Sequence, residues 1–209
     1  MLAVWALAVG AALLLADALD SPVGAGARDE AQAVAPGPVA VPGGAVAGGQ
    51  GLPPLALVLD RPPPDGIGDL PPIRQASRLS ELAQRDPDPR RLVELGSVLQ
   101  LLGAPEDAAR AYRAALAEAP GDVAARAGLA MLDGADGEGL ARATAGLAAL
   151  AAEHPDDQLV AFNQGWVEIY RRRAGPAERA WRRTVALGAD TRLGRTASAL
   201  LAELGRAGG

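Results

Sequence analysis

Residues 92–120 read LVELGSVLQLLGAPEDAARAYRAALAEAP, and this stretch decides the fold. Leu92, Leu95, Val98, Leu99 and Leu102 recur at three- and four-residue spacing, which places them on one face of a helix. Gly96 sits inside that helix, where a glycine costs about 1 kcal/mol relative to alanine. The cost makes sense where a neighbouring helix must approach closely. Gly103 and Pro105 end this helix and begin a second, and Pro105 in the first turn gives up no needed donor. The second helix turns Ala108, Ala111, Tyr112, Ala115 and Leu116 inward, and Pro120 stops it. Small alanines facing Leu and Tyr are what a close antiparallel helix pair needs.

The order Leu92, Leu95, Gly96, Leu99, Gly103, Ala108, Tyr112, Ala115, Leu116, Pro120 resembles the tetratricopeptide repeat, a helix-turn-helix unit of about 34 residues. The resemblance implies an all-α fold: a short antiparallel helix-turn-helix solenoid of about three repeats with capping helices. Its signature residues are packing residues, so they specify a fold and leave function open.

Working outward from this repeat, the helical pattern fills residues 72–206. A capping helix is expected over 73–85, with Ile73, Ala76, Leu79, Leu82 and Ala83 on one face to shield the open end of the stack. Three repeats follow at 89–122, 123–157 and 158–191. The middle one is degenerate: its first helix is short (123–132) and gives way to the acidic, glycine-rich run Asp133–Gly139. A calcium loop needs oxygen ligands at alternate positions, and Ala135 and Gly137 occupy two of them, so an interhelical loop is expected. The third repeat keeps register through Gly165, Ala177, Trp181 and Val185, with Gln164 in place of the usual Leu and Ala189 in place of the closing Pro. A second capping helix is expected over 192–204, burying Leu193, Ala197, Leu200, Leu201 and Leu204.

Ahead of the repeats lie two segments of different composition. Residues 1–19 begin with the apolar run MLAVWALAVGAALLLA, whose length of roughly 24 Å as a helix approaches a bilayer core. It reads as a transmembrane anchor or, given the Ala16-Asp17-Ala18 sequence, as a cleaved signal peptide. Either way the repeat domain is expected outside the cytoplasm. Residues 20–71 form a Pro/Gly/Ala-rich linker, read as a disordered tether because such a composition buries too little apolar surface to offset its ordering entropy. Leu52–Asp60, LPPLALVLD, is an apolar island within it. It is either a short extended segment laid against the helical domain or a partner, or an unstructured patch of linker.

Composition excludes much chemistry. The 209 residues contain no Cys and one His, so thiolate metal sites, disulfides and multi-histidine sites are absent. No Lys is present for a phosphate loop, no serine lies on a G-x-S-x-G turn, and His154 stands in a His-Pro-Asp-Asp turn. The chain is expected to be non-enzymatic and to take no cofactor and no metal. A net charge of −5 gives no reason to expect nucleic acid as a partner. All 20 basic residues are Arg, and Asn163 and Phe162 are the only residues of their kind. This scarcity of residues with AT-rich codons points to a GC-rich, bacterial genome. Arg171, Arg172, Arg173, Arg179, Arg182 and Arg183 give the third repeat a local basic excess, read as a solvated face.

The resemblance also implies where binding would occur, because the first helices of successive tetratricopeptide repeats line a concave groove. The corresponding positions in the third repeat are Leu159, Phe162, Trp166, Ile169 and Tyr170, with Asn163 beside them. In the first repeat they include Val93, Ser97 and Gln100. The aromatic stripe suits peptide recognition, and packing against the second repeat or the tether is its alternative role. The carboxylate clamp of chaperone-tail-binding relatives requires Lys and is not expected here. The function implied is a membrane-tethered scaffold for a protein or peptide partner, a layout shared with envelope-assembly and cytochrome c maturation proteins. The alternative is a structural module that self-associates as a homo-oligomer.

Overall fold

The computed structural model describes residues 54–61, 63, 66–132, 134 and 137–208. The expected anchor and all of the linker up to residue 53 lie outside the described residues. Among the described residues a 3-10 turn at Ile67–Asp69 is followed by eight helices: α1 (Pro72–Arg85), α2 (Pro89–Leu101), α3 (Pro105–Glu118), α4 (Val123–Met131), α5 (Gly137–Glu153), α6 (Gln158–Tyr170), α7 (Ala174–Leu187) and α8 (Arg192–Gly208). Among the described residues there is no strand, and no helix is long and apolar enough to cross a membrane.

Each repeat opens with the same local device. Asp88, Asp122 and Asp157 are the N-caps of α2, α4 and α6, and their carboxylates accept from the backbone N–H of Arg90, Ala125 and Val160. Asp satisfies donors that a helix start leaves orphaned. The second helices of the outer repeats begin without a side-chain cap, α3 with Pro105 in its first turn and α7 at Ala174.

Packing follows from glycine facing aromatic. A Cβ added at Gly96 would lie 2.5 Å from Tyr112 Cε1, and one at Gly165 would lie 2.4 Å from Trp181 Nε1. Tyr112 also fills the space over Gly128 of α4, where a Cβ would lie 2.3 Å from its Cζ. One tyrosine thus joins the first repeat to the second.

The layers are unequal, and that creates the groove. Helices α2, α4, α6 and α8 each touch the next member of that series, while α3, α5 and α7 do not touch one another among the described residues. The first helices close ranks and the second helices splay, so the stack curves with its first helices on the concave side. The main core runs from Leu92 to Leu200 and takes in Leu57 from ahead of the helices, and a smaller cluster of Ile67, Ala76, Leu79 and Val98 seats α1 on α2.

The end helices differ from the sequence expectation at their margins. Helix α8 continues to Gly208 instead of stopping at 204, and α1 begins at Pro72. Gly205 meets no atom within 4 Å of an added Cβ, so α8 ends as a solvent-facing helix in which that glycine breaks no contact.

Candidate functional site: the concave groove

The groove is already occupied. The segment Leu55–Asp60, neither helical nor strand-paired, lies across the first helices of the repeats. This corrects the linker reading for these residues, which are ordered against the helical domain and are no part of a disordered tether. The physical reason is that LALVL offers apolar side chains where an apolar floor awaits them. Leu57 is 2% exposed, and Leu55, Val58 and Leu59 pack against the main core.

The polar contacts are to the segment's backbone. Leu57 donates its N–H to Gln100 Oε1 at 3.2 Å and accepts from Ser97 Oγ at 2.7 Å. Val58 donates its N–H to Asn163 Oδ1 at 2.9 Å, and Asn163 Nδ2 donates to its carbonyl at 2.9 Å. Arg192 Nη1 donates to the Leu59 carbonyl at 3.1 Å. Leu55 lies on the turn of the middle repeat, where a Cβ at Gly134 would come 2.3 Å from its Cδ2. Within five residues the segment touches all three repeats and the last helix.

The groove side chains are held from behind as well. Tyr112 donates its hydroxyl to Gln100 Oε1 at 2.6 Å, and Asn163 Nδ2 also donates to the Leu159 carbonyl at 2.8 Å. Gln100 Nε2 is buried without a hydrogen-bond partner. Burial pushes the Tyr112 hydroxyl well above its ordinary pKa, so it stays a donor.

Three of the groove residues named from the sequence, Ser97, Gln100 and Asn163, therefore meet on one ligand-like segment. The hydrophobic ones fare differently. Phe162, Trp166, Ile169 and Val93 are buried within the core. Phe162 and Trp166 stand 6.2 and 6.5 Å from Trp181 of α7, ring centre to ring centre. Trp181, seated over Gly165, holds Phe162 and Trp166 in the repeat's own core, so with the segment in place neither aromatic stands open as the anchor expected of it. Leu159 and Tyr170 keep partial exposure, and Tyr170 stands edge-on to Trp166 at 5.7 Å. Arg192 and Gly134 were missed. The signal for Arg192 is weak, a charged residue at a helix start.

The basic excess of the third repeat is largely paired. Arg171 and Arg173 bracket Glu168, Arg182 meets Glu178, and Arg183 donates to the Pro155 carbonyl.

These paired helices, capped by Asp at each first helix and locked by glycine–aromatic contacts, define a helical-repeat protein of tetratricopeptide-like architecture. No family model matches the chain, and no curated protein matches it. Among solved structures it is similar to one described as the crystal structure of MamA, with 17% identity and a TM-score of 0.39 over 65% of this chain and 83% of that one.

Proposed function

We propose that this chain is a non-enzymatic protein-interaction scaffold whose concave groove holds a non-helical segment of a partner protein. Residues 1–19 would tether it to a bacterial membrane with the repeats outside the cytoplasm, a reading supported by the apolar run Met1–Ala16. The finer role implied by that layout is assistance in envelope or c-type cytochrome assembly. The observation that carries the proposal is the set of five hydrogen bonds to three consecutive residues, Leu57, Val58 and Leu59. Side chains that address N–H and C=O groups recognise polypeptide as a class, and the apolar floor supplies the choice among sequences.

A second reading is favoured by the same occupancy. A chain that fills its own groove can fill that of a second copy, which would make it a structural module that self-associates.

The test is photo-crosslinking in cells from the full chain, with the photoreactive residue at Leu159 or Tyr170 and at Arg113 of α3 as the convex-face control. The expected result is one defined foreign protein captured from both groove positions, absent from the control and lost in Asn163→Leu. Crosslinks to this chain alone would overturn the scaffold and favour self-association.

A further inference from the structure

We propose that Leu55–Leu59 is an exchangeable occupant in cis, and that the groove's foreign ligand is a segment of the same chemistry which must displace it. The inference rests on the scaffold reading and adds the class of ligand and a built-in gate.

Three observations support exchange over permanent packing. First, every hydrogen bond from the groove to the segment falls on main-chain atoms, so nothing polar in the groove demands this particular sequence. Second, the two amide side chains that hold the segment keep partners when it leaves. Gln100 retains the Tyr112 hydroxyl, and Asn163 retains the Leu159 carbonyl. An emptied groove therefore remains shaped, and its polar groups would be met by water rather than left orphaned. Third, the occupant is short and its flanks are free of the groove. Pro54, Asp60 and Arg61 are exposed, and the last two form an ion pair with each other. Beyond them, Ile67 is buried against α1 and α2, so the segment is tied within a few residues of its site. A short tether of this kind supplies an effective concentration on the order of 1 mM, enough to keep a weak ligand seated.

The geometry also defines what a competitor must carry. It needs a run of three residues outside a helix, with free N–H groups at the Leu57 and Val58 places, which excludes proline there. It needs a branched aliphatic side chain at the buried Leu57 place and further apolar groups at the Leu55, Val58 and Leu59 places. Charge plays little part.

The test uses the full chain in detergent micelles and a fluorescent peptide of residues 53–61, read by anisotropy. Val58→Pro removes the N–H that Asn163 accepts and unseats the segment in cis. This variant should bind the peptide roughly tenfold or more tightly than the unaltered chain, as expected when a tethered competitor is removed. Val58→Pro/Asn163→Leu should lose that gain, and a peptide N-methylated at the Val58 place should not bind. Circular dichroism controls for folding, and Leu57→Gly serves as the second unseating variant. Equal peptide binding by unaltered and unseated chains would overturn the gate. No binding by either unseating variant would show that the segment is permanent packing. A dimer that dissociates when the segment is unseated would overturn the cis arrangement in favour of exchange between copies. Peptide binding as expected, with only self-crosslinks in cells, would leave the gate standing and sink the foreign-partner reading.

Discussion

Asn163 grips Val58 by both ends of its backbone: the Oδ1 accepts the Val58 N–H and the Nδ2 donates to the Val58 carbonyl, each at 2.9 Å. The two residues are 105 apart in sequence, and Asn163 is completely buried. A primary amide is the side chain that presents donor and acceptor together in the geometry of a peptide group. Asn163→Leu removes both bonds and leaves the two Val58 groups to find water, a loss of about 1–3 kcal/mol for a buried group left unpaired. Because Asn163 supplies two of the five hydrogen bonds that seat the segment, the loss should appear locally. Thermolysin should cut between residues 55 and 59 at least tenfold faster in Asn163→Leu, while far-UV circular dichroism is unchanged. Equal cleavage rates would mean that the apolar contacts alone seat the segment.

The glycine–aromatic contacts make a second prediction. A methyl group at residue 165 would overlap the Trp181 indole, which is fully buried and donates its Nε1–H to the Phe162 carbonyl at 3.2 Å. Overpacking of this kind costs about 1–3 kcal/mol. Gly165→Ala should lower the urea midpoint accordingly, whereas Gly121→Ala, where an added Cβ meets nothing within 4 Å, should stay within about 0.5 kcal/mol of the unaltered chain. If both variants unfold together, the indole has room to move aside and the contact is not what sets the helix spacing.

How far the sequence reveals these features depends on what each residue touches. The repeat register is legible because Gly96, Tyr112, Gly165 and Trp181 are local signals, each helix pair lying within a few tens of residues. The groove is less so. Helix α6 buries Val160, Ala161, Phe162, Asn163, Gly165, Trp166, Val167, Glu168 and Ile169, leaving almost no polar face. In a helix that is apolar nearly all round, three- and four-residue spacing marks a stripe but not which stripe faces the ligand. The aromatic stripe was therefore readable and its role was not. The docking of Leu57 on Ser97 and Gln100, and of Leu59 on Arg192, joins residues 40, 43 and 133 apart. No periodicity carries contacts of that span, although the apolar island itself stands out from its Pro/Gly surroundings.

A third prediction concerns the turn between α6 and α7. Gly103 ends the first helix of the first repeat with φ +71°, and Arg172 stands at the matching place in the third repeat with φ 58°. The left-handed region is open to glycine and costs an L-residue with a Cβ about 1–2 kcal/mol. Arg172→Gly should therefore stabilise the domain by about 1 kcal/mol, a rise of roughly 2–4 °C in Tm, less any entropy that glycine adds to the unfolded chain. Gly103→Ala should move Tm in the opposite direction. A fall in Tm for Arg172→Gly would show that the arginine side chain contributes more than its backbone conformation costs.

The fourth prediction follows from Glu94, which is 2% exposed. Its Oε1 accepts from Arg90 Nε at 3.2 Å, while its Oε2 is buried with no partner. Burial raises its pKa above the ordinary value of 4.5, and the charge of Arg90 offsets this only in part. A carboxyl that holds its proton more tightly when folded gives the folded state the larger proton count just above that ordinary value. Stability is then greatest at low pH and declines as pH rises through the folded pKa, with a slope of at most about 1.4 kcal/mol per pH unit. Glu94→Gln has no proton to lose, so its urea midpoint should lack this decline and exceed that of the unaltered chain at pH 7 but not at pH 4. Parallel midpoint curves from pH 4 to 8 would mean that Arg90 fully compensates the buried charge. In that case breaking the pair, as in Arg90→Ala, should destabilise the domain at pH 7 and not at pH 4.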